Sequence, residues 1–222
     1  MRLVIFDLDG TLIDSEALIV ETVTGAFHDA GETVPDEKTI RSISGITLDQ
    51  AMRILAPGVP ADRVGKIVEA YRTRYHGRTG DEREPLFAGV VAALDRLQAM
   101  PETILAVATG KGHSGAVKVL ERHGIVGRFN SIQTPTHNRG KPDPQMIETA
   151  MAKAGVGQSQ TVMVGDTVHD MRMAKAAGVG AVGVAWGYHE IDELRAAGAD
   201  VVIERFDQLD TAIDALLGVA NA

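Results

Sequence analysis

Apolar residues fall along this chain in two kinds of pattern. Short continuous runs occupy 3–6 (LVIF), 104–108 (ILAVA), 161–165 (TVMVG), 181–185 (AVGVA) and 200–203 (DVVI). They do not alternate with polar positions, as expected for strands of a parallel sheet covered on both faces. A weaker run of the same kind spans 129–133. Helical segments are predicted between them, over about 112–123, 144–154, 167–177, 190–196 and 206–217. The AAG at 176–178 reads as a helix C-terminus turning into the next strand. Strand and helix alternating in this way predict an α/β fold, a doubly wound parallel sheet of Rossmann-like type.

One region breaks the rhythm. From Ser15 to about Pro85 there is no strand pattern, only helical patterns near 15–30, 36–44, 47–55 and 61–76. Gly31, Pro35, Gly45, Pro57 and Pro60 punctuate them. The expectation is an α/β core of residues 1–14 and 86–222, with a helical cap domain of residues 15–85 inserted after the first strand. The polar, turn-rich stretch at 77–90 reads as the return linker into the core.

Composition narrows the partners. The 222 residues are 45% hydrophobic and 23% charged, enough apolar material for a proper core. The formal net charge is −8 and no lysine or arginine run occurs, which argues against nucleic acid and anionic membrane partners. With no cysteine, disulfides, thiolate zinc sites and cysteine nucleophiles are excluded. The apolar start is interrupted by Asp7 too soon for a signal peptide, and no stretch approaches a membrane span. A cytoplasmic protein, monomer or homodimer, is expected.

The chemistry collects after the strands, where ligands of a parallel sheet bind. The first run is followed by Asp7, Asp9, Gly10 and Thr11, the second by Thr109, Gly110 and Lys111. GKPDP places Lys141 just before a helix, and GDTVHD supplies Asp166 and Asp170. Two carboxylates two residues apart repel, so something must compensate them. Clustered Asp7, Asp9, Asp166 and Asp170 suit a hard cation with oxygen ligands, and Mg²⁺ fits a cage left partly open to water and phosphate. Such a cation, Lys141 and the backbone N–H groups around Thr109–Lys111 would neutralise a phosphoryl group. A carboxylate facing the phosphorus could attack it, and Gly10 would let the chain leave the strand so that both acids face one site. Each residue alone has a plainer reading: a turn for Asp9-Gly10, a solvated lysine, a helix N-cap for Asp166, a first-turn acid for Asp170.

Taken together, DLDGTLIDS (7–15), ATG (108–110), GKPDP (140–144) and GDTVHDMRMAKAAG (165–178) resemble the four motifs of the haloacid dehalogenase superfamily. The likeness covers the whole chain, and the phosphoglycolate phosphatase-like branch with a small helical cap is the nearest. The resemblance implies Asp7 as nucleophile forming an aspartyl-phosphate, and Asp9 as general acid and base. It implies Thr109 and Lys141 as the groups holding the phosphoryl oxygens, with Gly110 allowing close backbone approach. Asp7, Asp166, Asp170 and the backbone carbonyl of Asp9 are the implied Mg²⁺ ligands. The implied activity is a Mg²⁺-dependent phosphatase acting on a small phosphorylated metabolite. A phosphosugar mutase or pyrophosphatase on the same scaffold, and an idle binding module, are the alternatives. Asp9 argues against dehalogenation and Thr11 against a mutase. The cap lysines, Lys38 and Lys66, lie in no context suited to a phosphonate-cleaving Schiff base.

The cap would read the leaving group, and its candidates are Arg41 and the turn around Gly45. Arg72, Arg74 and Arg78 read as a solvated helix face. Lys111 and His113 are placed to reach substrate, His169 is directed away from the metal, and Trp186 is assigned to packing.

Overall fold

A computed structural model describes residues 1–76 and 84–218 of the chain. Strands β1 (Arg2–Phe6), β2 (Thr103–Ala108), β3 (Ser131–Gln133), β4 (Thr161–Gly165), β5 (Gly180–Val184) and β6 (Val201–Ile203) form one sheet. Their order is β3-β2-β1-β4-β5-β6, and every neighbouring pair is parallel.

The apolar runs are continuous because each strand is covered twice. Val4 and Phe6 of β1 enter one hydrophobic cluster, Leu3 and Ile5 the other. The first cluster is closed by α5 (Val90–Ala99), α6 (His113–Arg122) and α10 (Leu209–Leu217), the second by α7 (Gln145–Ala154), α8 (Val168–Ala177) and α9 (Ile191–Ala196). Side chains alternate across a strand, so a strand between two helical layers must be apolar at every position. The order reverses direction between β1 and β4, which makes that gap the binding crevice of a doubly wound sheet.

Helix α5 was not among the predicted elements. Val90, Ala93, Leu94 and Leu97 are buried at the i, i+3, i+4, i+7 spacing of a helix packed on one side. The polar, turn-rich character of the preceding stretch, which runs through Gly89, hides the start of this helix. Gly89 stands at φ +90° immediately before the first helical residue.

Between β1 and α5 lie α1 (Glu16–Asp29), α2 (Glu37–Ser42), α3 (Leu48–Leu55) and α4 (Ala61–His76). Asp36 caps α2 by accepting from the Thr39 N–H, and Thr47 caps α3 by accepting from the Gln50 N–H. The four helices share a cluster of their own, built on Val23, Phe27, Ile40, Met52, Leu55 and Ile67, that has no residue in common with the two sheet clusters. Residues 77–83 of the expected linker, Arg78 among them, lie outside the described residues. No helix among the described residues is long and apolar enough to cross a membrane.

Candidate active site

At the end of β1 the chain leaves the sheet abruptly. The Asp7 N–H still donates to the Val164 carbonyl (2.9 Å), so the Asp7 side chain stands at the β1–β4 crevice. The N–H groups of Thr11, Leu12 and Ile13 then all donate to the Leu8 carbonyl, at 3.2, 2.9 and 2.9 Å, closing a tight loop. Gly10 makes that loop possible at φ +81°, and a Cβ there would lie 2.2 Å from Asp166 Oδ2. The turn therefore brings Asp7, Asp9 and the residues after β4 together.

Asp7, Asp166 and Asp170 are all buried, and one oxygen of each lies within 4.8 Å of the others. Asp166 accepts from the Thr11 hydroxyl (2.8 Å) and the Tyr188 N–H (3.0 Å). Asp170 sits in the first turn of α8, where it and Thr167 form a capping box; the Thr167 hydroxyl donates to Asp170 Oδ2 at 2.6 Å. Lys141 Nζ, fully buried, bridges Asp7 Oδ2 (2.7 Å) and Asp170 Oδ1 (2.6 Å).

Three buried carboxylates face one ammonium. Burial pushes the Asp7 carboxyl up to about 7; Lys141 opposes that rise, whereas Asp170 and Asp9 reinforce it. Burial, then Asp7 and Asp170, push Asp166 well above the usual carboxylate range. Asp170 and Asp7 outweigh burial at Lys141, which is held firmly protonated. A hard, all-oxygen donor set with surplus negative charge fits a divalent cation such as Mg²⁺.

Asp9 belongs to a different environment. Its Oδ1 lies 3.2 Å from Lys111 Nζ, which donates to the Tyr75 hydroxyl (2.6 Å) and pairs with Glu84 (3.4 Å). Tyr75 in turn donates to Glu84 Oε1 at 2.7 Å, and Glu84 Oε2 pairs with Arg122 at 3.1 Å. Thr109, buried at the end of β2, takes the Lys111 N–H on its hydroxyl oxygen (3.2 Å). The two acids of the DLD stretch are thus separated, Asp7 to Lys141 and Asp9 to Lys111.

A cavity of about 510 Å³ lies above Asp7, Asp9, Thr109 and Gly110, roofed by α1, α3, α4 and the Gly45–Leu48 turn. Gly110 meets that turn closely, since a Cβ on it would be 2.7 Å from the Ile46 carbonyl and 2.8 Å from the Gly45 carbonyl. Gly45 lines the cavity at φ +87°.

Arg41 does not reach this cavity. Its guanidinium pairs with Glu16 (2.7 Å) and Glu37 (3.7 Å) in a shallow depression on the outer side of α1 and α2. It sits on the turn of α2 that faces Glu16, so the nearer carboxylate captures it. Arg72, exposed as expected of a solvated helix face, stands at the rim of the cavity and pairs with Asp49 at 3.4 Å. Trp186 packs on Phe206 and donates to the Thr11 carbonyl (3.1 Å). The His169 ring meets His189 edge to face.

Sequence reasoning missed Tyr75 and Glu84. Each touches Lys111 only through tertiary folding, and neither lies in a motif. The one signal was Lys111 itself, two residues beyond Thr109.

The chain that carries this arrangement has counterparts among known proteins. Residues 4–184 match the family model described as haloacid dehalogenase-like hydrolase. The chain belongs to this family. It is 38% identical over 223 residues to a protein of Dickeya dadantii named "Probable phosphatase IndB", covering 99% of this chain and 96% of that one. It is 31% identical to a phosphoglycolate phosphatase of Agrobacterium fabrum, covering 95% and 91%. A haloacid dehalogenase-like hydrolase from Streptococcus pneumoniae superposes with a TM-score of 0.82 at 26% identity, covering 95% of this chain and 97% of that one.

Proposed function

We propose that this haloacid dehalogenase-like hydrolase is a Mg²⁺-dependent phosphatase that cleaves phosphate monoesters of small metabolites through Asp7. The observation that carries the reading is the separation of Asp7 from Asp9, two residues apart yet held by different lysines on the floor of one cavity. Phosphoryl transfer with a covalent intermediate needs this division, one carboxylate to attack and one to move protons. The named relatives support the phosphatase class.

Asp7 Oδ1 accepts the Leu8 N–H at 2.7 Å and Oδ2 pairs with Lys141, so the carboxylate is fixed in rotation before substrate arrives. One Asp7 oxygen forms a bond to phosphorus as the bond from phosphorus to the ester oxygen breaks. Asp9 gives its proton to the departing alkoxide. It then takes a proton from water, which attacks phosphorus, breaks the acyl-phosphate bond and restores Asp7 with release of inorganic phosphate. Thr109 and Lys141 hold the phosphoryl oxygens. Asp7, Asp166, Asp170 and the Asp9 carbonyl would hold Mg²⁺, which supplies neutralising charge for those oxygens. Helices α1–α4 act as a cap that keeps water from the site until the ester is bound.

The test is phosphate release from a panel of monoesters by the wild-type protein and by Asp7→Asn, with Mg²⁺ or EDTA. Turnover is expected only for the wild type, abolished by EDTA and restored by Mg²⁺. Turnover by Asp7→Asn at near wild-type rates would refute the assignment.

A further inference from the structure

The cavity above Asp7 is built unevenly. Its floor is polar, with Asp7, Asp9 and Thr109, but the roof contributed by the helical insert is apolar, with Ile19, Val23, Ile43, Leu48, Met52 and Tyr71. Tyr71 and Tyr75 stack with ring centroids 6.0 Å apart and planes 8° from parallel, so Tyr71 presents a flat aromatic surface. Burial pushes the Tyr71 hydroxyl up to about 12, and the ring stays neutral.

The charges on this surface are already matched. Among the described residues, the permanent cations that line the cavity are Arg72 and Lys111. Arg72 is paired with Asp49, and Lys111 with Asp9 and Glu84. Lys141 pairs with Asp7 and Asp170 and is committed to the transferred phosphoryl group, so it does not serve a second anion. A substrate with a second anionic group would set that group beside Asp9 or Asp49, and each cation in reach, Lys111 and Arg72, already faces a carboxylate. Desolvating such a group without a partner is costly, whereas an apolar group loses nothing by entering.

We infer that the leaving group this protein accepts is an uncharged alcohol with a compact apolar body, and that carboxylated and diphosphate substrates are disfavoured. The inference rests on the phosphatase reading and specifies its substrate class. The phosphoryl group sits on the Asp7 floor and the ester oxygen faces Asp9. The carbon skeleton then lies against Met52, Ile19 and the Tyr71 ring. A relative that hydrolyses phosphoglycolate carries a name this cavity does not match, because glycolate brings a carboxylate.

The test compares kcat/KM with Mg²⁺ for 3-methylbutyl phosphate, glycerol 3-phosphate and 2-phosphoglycolate, with pyrophosphate alongside. The first three leave as primary alkoxides, and 3-methylbutoxide is the most basic of them, so leaving-group basicity works against the expected order. The 3-methylbutyl ester is expected to lead each of the others by about tenfold or more, since one methylene in an apolar pocket is worth about that much. A 2-phosphoglycolate or pyrophosphate rate equal to or above it would overturn the inference and leave the phosphatase reading standing. Equality of the glycerol ester would overturn the apolar part. Competition binding of 3-methylbutylphosphonate against phosphonoacetate, neither of which can be hydrolysed, supplies a readout independent of turnover. Should no ester be cleaved, the phosphatase reading falls, and tighter binding of the alkyl phosphonate still upholds the recognition. Tighter or equal binding of phosphonoacetate refutes it.

Discussion

The acid proposed as nucleophile should also weaken the metal-free fold, and Asp7→Asn separates the two effects. Asp7 is buried, and its carboxyl is raised from an ordinary 3.8 to about 7, first by burial and then by Asp170 and Asp9 against the pull of Lys141. A carboxyl that holds its proton more tightly folded than unfolded contributes stability below its unfolded value, and that stability is lost as pH rises through the folded one. At about 1.4 kcal/mol per pH unit, the difference is about 4 kcal/mol, lost across the window from about pH 4 to 7. Asparagine has the same shape and does not titrate, and Lys141 keeps Asp170 as partner in the variant. Asp166, pushed up partly by Asp7, relaxes in the same direction. Urea unfolding in EDTA should therefore show Asp7→Asn and wild type alike below about pH 4, with the variant more stable by about 4 kcal/mol above about pH 8. A difference independent of pH, or a variant less stable than wild type at high pH, would refute the reasoning.

Asp9→Asn should lower kcat by about 10² to 10⁴ with KM little changed, because proton transfer is lost and binding is not; steady-state kinetics on any cleaved ester decide it. Gly10→Ala should cost at least about 3 kcal/mol in a urea melt, since φ +81° and a Cβ 2.2 Å from Asp166 leave no room; a loss under about 0.5 kcal/mol would contradict this. Thr167→Val removes the hydroxyl that donates to Asp170 and caps α8, so about 1–2 kcal/mol should go, largely recovered in Thr167→Ser.

The sheet was legible because each strand is buried on both faces, which writes itself as an uninterrupted apolar run. Asp7, Asp166, Asp170 and Lys141 were legible because the topology of such a sheet carries strand ends to one edge, however far apart they are in sequence. Arg41 turns from the cavity for a reason sequence could not supply: α2 packs on α1, where Glu16 captures its guanidinium. Arg72 is solvent-exposed, as its helical pattern predicts, and stands at the cavity rim besides. Lys111 was placed near the substrate, but its pairing with Asp9 depends on Tyr75 and Glu84, which reach it from α4 and from the segment before α5. Helix α5 was lost for a simpler reason, a polar linker that blurred its start.

The hydrophobic cluster of α1–α4 shares no residue with those of the sheet. Substitution at Met52 or Val23, inside that separate cluster, reshapes the roof of the cavity without removing a contact that holds Asp7, Lys141 or Asp166. The carboxylate floor can be inherited unchanged as the roof diversifies, and one ancestor can give rise to descendants that share a reaction and differ in diet.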